Sequence, residues 1–137
     1  MTALPIVSKI QLRSLNLHGY RLNMGICKAI RTFLENNRNA ITKISLDNNG
    51  MTTGDVLAEL LEGIRAQDDF KQIVVIRNTV DEASTNIITD ILHRGFPKAL
   101  EELRIINCKI SPVSTHRILT TMNEGNCSLR KLSLAGA

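Results

Sequence analysis

The side chains with chemistry to offer are few, and their spacing decides what they could do. A metal centre or a general acid–base pair needs His, Cys or carboxylate groups that converge on one point. His18, His93 and His116 fall at three unrelated places of the pattern set out below, one on a predicted strand and two on predicted helices, so they read as surface or packing residues. Cys27, Cys108 and Cys127 are odd in number and lack a Cys-x-x-Cys spacing, which speaks against a disulfide framework and a zinc knuckle alike. Asp68-Asp69 and Glu101-Glu102 are adjacent only in sequence, and loop or strand geometry gives them no reason to share a proton. A Gly-rich phosphate loop, a nucleophile elbow and a His-Glu-x-x-His helix are all missing from the sequence. The expectation is a non-enzymatic chain with no cofactor and no metal.

What recurs instead is a pattern of apolar residues. Five segments read apolar-x-x-apolar-x-apolar and begin at Leu12, Ile41, Phe70, Leu100 and Leu129, with steps of 29, 29, 30 and 29 residues. The fourth and sixth positions of each segment differ by two, so on a strand they share one face, which must be the buried one. Three residues after the sixth position stands Tyr20, Asn49, Asn78 or Cys108, followed two later by Leu22, Met51, Val80 or Ile110. An Asn there can satisfy backbone groups where the chain leaves the strand, and a Cys can do so only weakly. Cys108, standing in that column, is therefore expected to be a buried structural thiol rather than a redox sensor.

The second half of each unit changes to helical spacing. Val56, Leu57, Leu60, Leu61 and Ile64 recur at three and four, with Thr52 or Thr53 as N-cap. Met24, Cys27, Ile30 and Leu34 read the same way, as do Ile87, Ile88, Ile91 and Leu92 behind the acidic opening Asp81-Glu82. Ser111 as cap and Pro112 at the first helical position open a fourth helix, whose apolar set is Val113, Ile118, Leu119 and Met122. Identical strand–turn–helix units joined in one direction give parallel strands with the helices on one side. Strands pair about 4.8 Å apart and helices roughly 8 to 10 Å apart, so the helical side is expected to be convex and the sheet concave.

By these residues the chain resembles the leucine-rich repeat family, in the intracellular class typified by ribonuclease inhibitor. The resemblance rests on the LxxLxLxxN/CxL pattern at Ile41–Met51, Phe70–Val80 and Leu100–Ile110. It implies an α/β solenoid of about four and a half repeats, in a single domain spanning 1–137 with residues 1–11 as an N-terminal flank. It also implies a surface for binding proteins, in settings that include cytoskeletal and ciliary assemblies. Tyr20 departs from the Asn/Cys column, marking the first unit as an edge or atypical repeat, and the fifth unit stops at Ala137. Neither end carries a polar capping unit, so the fifth repeat is expected to be continued or covered by another segment or chain.

The residues between the buried positions should line the concave face. Val74, Ile76 and Ile106 interrupt an otherwise polar surface, with Lys43, Asp47, Arg77 and Arg104 around them, and Ile76 and Ile106 are predicted cross-strand neighbours. Two readings stand: β-propensity with shielding by the stems of Arg77 and Arg104, or the apolar centre of a protein-contact surface. The functional expectation is an interaction module or scaffold within a larger intracellular protein. The alternatives are a regulator that accelerates hydrolysis on a small GTPase, with Arg77 at the strand-to-loop edge, and an inhibitor that occludes a partner enzyme.

Composition narrows the partners. The 17 basic and 13 acidic residues, net +4, are spread along the chain, and there are three Phe, one Tyr and no Trp, so neither a basic stripe nor a set of stacking aromatics speaks for nucleic acid. No apolar run approaches the about 18 residues of a membrane span, and MTALPIVSKIQLR lacks the uninterrupted apolar core of a secretory signal. A cytoplasmic chain that does not touch the membrane is expected. Asn126-Cys127-Ser128 matches a glycosylation sequon, which has no role in that compartment.

Overall fold

The computed structural model describes residues 13–51, 54–95, 97–124 and 129–136. The element order is β1 Ser14–His18, α1 Met24–Asn36, β2 Lys43–Asp47, α2 Gly54–Arg65, β3 Gln72–Ile76, β4 Thr79–Val80, α3 Glu82–Arg94, β5 Glu102–Ile106, β6 Lys109–Ile110, α4 Pro112–Glu124 and β7 Lys131–Ala135. Five strands form one parallel sheet in the order β1-β2-β3-β5-β7, and β4 pairs with β6 in a second, two-stranded parallel sheet. The fold is α/β. Leu12, the Thr52/Thr53 cap, the sequon at 126–128 and Ala137 lie outside the described residues.

The register follows the sequence spacing. Leu15, Ile44, Ile73, Leu103 and Leu132 form one cross-strand row, and Leu17, Leu46, Val75, Ile105 and Leu134 form the next. Both rows join the core with Cys27, Leu34, Leu57, Leu60, Leu61, Ile64 and the four apolar residues of α3, so the helices cover that face of the sheet. Each helix packs on its neighbours in sequence, α1 on α2, α2 on α3 and α3 on α4.

Three of the helices, α1, α3 and α4, start where a short polar side chain caps them. Asn23 Oδ1 accepts from the Ile26 N–H at 2.9 Å, Asp81 Oδ1 from Ser84 at 3.3 Å and Ser111 Oγ from Ser114 at 3.0 Å. Pro112 takes the first helical position behind Ser111, where its missing N–H costs nothing. Gly95 ends α3 with φ of 65°. Behind α1 and α2 a buried Gln67 accepts from the Asn39 N–H at 2.8 Å and donates to the carbonyls of Leu34 at 3.1 Å and Gly63 at 3.4 Å.

Column by column, the Asn/Cys position does what its chemistry allows. Asn49 Nδ2 reaches back one unit to the carbonyls of Leu17 and Tyr20, at 2.5 and 2.7 Å. Asn78 Oδ1 accepts from the Asn49 N–H at 3.0 Å, and its amide donates to Asn49 Oδ1 and the Ile76 carbonyl. Cys108 Sγ lies 3.3 Å from the Val75 carbonyl, the same backbone position that Asn49 contacts in the first unit, and burial raises its thiol pKa. Tyr20 leaves the column and is exposed.

The apolar set assigned to α4 is half right. Ile118 is buried and Met122 partly so, but Val113 and Leu119 are exposed, Leu119 at 51%. Leu119 stands where Arg31 stands on α1, on the flank that faces the following helix. No described helix follows α4, so this flank has no cover among the described residues.

Candidate functional site

Between the core rows, alternate strand residues face the other side of the sheet. The register sets His18, Asp47, Ile76, Ile106 and Ala135 side by side at the ends of the five strands. One step inward along each strand lies the row Asn16, Ser45, Val74, Arg104 and Ser133, and a further step inward Ser14, Lys43, Gln72, Glu102 and Lys131. Ile76 and Ile106 are cross-strand neighbours and both are half-buried.

Val74 corrects the expectation of three exposed β-branched residues. It is only 7% exposed, because a short side chain on the middle strand stands between Arg104 across the ladder and Gln72 and Ile76 along its own strand. The apolar centre of this face is therefore the Ile76–Ile106 pair, with Val74 as its floor.

Arg77 follows directly. It is the first residue beyond β3 and adopts φ of 49°, in the left-handed region. The same column contains Gly19, Asn48, Asn107 and Gly136, all at positive φ, so five consecutive strands end in the same left-handed turn. Gly and Asn are the residues that tolerate this conformation; Arg is not. Its guanidinium is held by Asp47, Nε to Oδ1 and Nη2 to Oδ2 at 2.8 Å each. The hydrogen bond from Arg77, helped by its charge and that of His18, holds the Asp47 carboxyl below the usual carboxylate range. The same pair raises the Arg77 pKa.

A second polar cluster centres on Glu102. Gln72 Nε2 donates to Glu102 Oε1 at 3.1 Å, Lys131 Nζ lies 3.9 Å from Oε2, and Arg104 Nε lies 3.6 Å from the same oxygen. Arg104 Nε is itself buried and has no hydrogen-bond partner among the described residues. His18 Nε2 and Ser45 Oγ are 2.8 Å apart beside Asp47.

Of the expected site residues, Asp47, Ile76, Arg77 and Ile106 come together at the strand ends, and Arg104 joins them from two residues before Ile106. Lys43 does not; it stands at the opposite end of β2, four residues from Asp47. The role of Glu102 and the left-handed column escaped the sequence reading. A column containing Gly19, Asn48, Asn107 and Gly136 carried the second signal plainly.

Among the described residues no group of three or more His, Cys, Asp or Glu side chains is placed to hold a metal ion, and no helix is long and apolar enough to cross a membrane. Comparison of the chain with family models, with curated proteins and with solved structures finds no match.

Proposed function

We propose that the chain is a leucine-rich-repeat solenoid of the ribonuclease-inhibitor class and a non-enzymatic interaction module, which binds a protein partner on the concave side of its sheet. The observation that carries this reading is the half-exposed Ile76–Ile106 pair set among Asp47, Arg77 and Arg104. An apolar centre with a charged surround is the usual anatomy of a protein contact. The regular unit step and the Asn/Cys column support the family reading, and the α4 flank that has no cover among the described residues supports a chain continued or covered at that end.

The test is Ile76→Glu with Ile106→Glu, two half-buried positions whose side chains face away from the core. The expected outcome is that partner capture from a cell extract disappears while the circular-dichroism spectrum and thermal midpoint stay near those of the unaltered chain. Undiminished capture by the folded double variant would sink the proposal. GTPase regulation and enzyme occlusion use the same face and rank below it: Asp47 already engages two guanidinium nitrogens of Arg77, and the face mixes both signs of charge.

A further inference from the structure

The first unit presents an apolar groove of about 390 Å³, lined by Leu15, Ile26, Ala29, Ile30 and Phe33. Its position in the unit says what kind of surface this is. One unit later the counterpart of Ile30 is Glu59, which turns back to α1 and bonds Arg31 at 3.2 Å. In the next two units the counterparts are Ile88 and Ile118, both buried. Glu59 thus looks toward the preceding helix, and the counterparts in the later units are covered. Before α1 there is no helix among the described residues, and Phe33 is left 39% exposed.

We propose that residues 1–12 of this chain cover the groove and cap the stack. The chain enters β1 through Arg13, so the twelve preceding residues start at this flank, three positions from the lining residue Leu15. They carry Leu4, Ile6, Val7, Ile10 and Leu12 and contain no Asp or Glu. Twelve residues reach at most roughly 40 Å when extended, ample to cross one helix and one strand. Tethering places them at a local concentration on the order of millimolar, which a free partner or a second copy does not reach at ordinary protein concentrations.

The experiment uses the full chain carrying Ala29→Cys and Cys127→Ser, in which Cys27 and Cys108 are buried. The reaction rate of the introduced thiol with a disulfide reagent is compared with and without Ile6→Lys and Ile10→Lys. The expected result is a rate independent of protein concentration that rises about tenfold with the two lysines, as for loss of a local closing equilibrium. Equal rates would overturn the proposal. So would protection that vanishes on dilution alongside dimers in sedimentation, which gives the groove to a second copy. Amide exchange gives a reading without any change in α1: Ile6→Lys with Ile10→Lys should speed exchange across Met24–Asn36, and unchanged exchange counts against the cap.

Discussion

Arg77 is held in a backbone conformation that its side chain does not favour, and the Asp47 carboxylate offsets that cost through two hydrogen bonds. Removing the carboxylate leaves the strain without its compensation. Asp47→Ala should therefore lower the thermal midpoint at neutral pH, and adding Arg77→Asn should restore part of the loss, since Asn tolerates the left-handed region. A double variant less stable than Asp47→Ala alone would contradict this account. The pair also carries a pH signature. The Asp47 carboxyl titrates below its unfolded value, so its stabilisation is complete above that unfolded value and is lost as pH falls through the folded one. The difference between the unaltered chain and Asp47→Ala should be full at neutral pH and shrink as pH falls below the ordinary carboxylate range. Burial, with Glu59 adding to it, places the Cys27 thiol at the opposite extreme, pushed up to about 11, so it takes no part in thiol chemistry at neutral pH.

Helix-on-helix packing fixes how closely consecutive units can stack. Gly63 on α2 sets the closest approach to α1: a Cβ added there would lie 3.2 Å from Arg31 Cγ and 3.3 Å from both Arg31 Cα and Leu34 Cδ1. Backbone stands on the other side, so the larger side chain cannot simply be bypassed. Gly63→Val should cost about 2 kcal/mol by urea unfolding, the scale of overpacking. At this scale most elements could be read from the chain, because the apolar period changes from two to three-and-four within each unit and the caps Asp81 and Ser111 stand where the change occurs. Three features escaped that reading for separate physical reasons. Val74 is shielded by neighbours that only the register identifies, and Leu119 has no following helix among the described residues to bury it. The β4–β6 pair is two residues long, below the length at which alternation can be recognised. In the candidate site, Ile76–Ile106 pairing followed from the unit step, whereas the Arg77–Asp47 bond depended on a turn conformation that an Arg in a Gly/Asn column conceals.

Among the described residues consecutive units contact one another, so there an interior unit is covered on two flanks and an end unit on one. The strands record this directly. The three central residues of β2 and of β3 are all buried, whereas those of β7 are only half-buried. Leu46 and Leu134 occupy the same row of the sheet and differ in little but their distance from the end of the stack. Truncating a fully buried Leu removes both its transfer energy and the contacts around the resulting void, while a half-buried side chain loses less and leaves a space that water can enter. Leu46→Ala should cost about 3 kcal/mol by urea unfolding and Leu134→Ala about 1 kcal/mol. Amide exchange of the unaltered chain should follow the same gradient, slowest in β2 and β3 and fastest in β7, because the end unit can open without disturbing the centre. Equal costs at the two leucines, or a β7 as protected as β3, would show that the terminal strand is covered in solution.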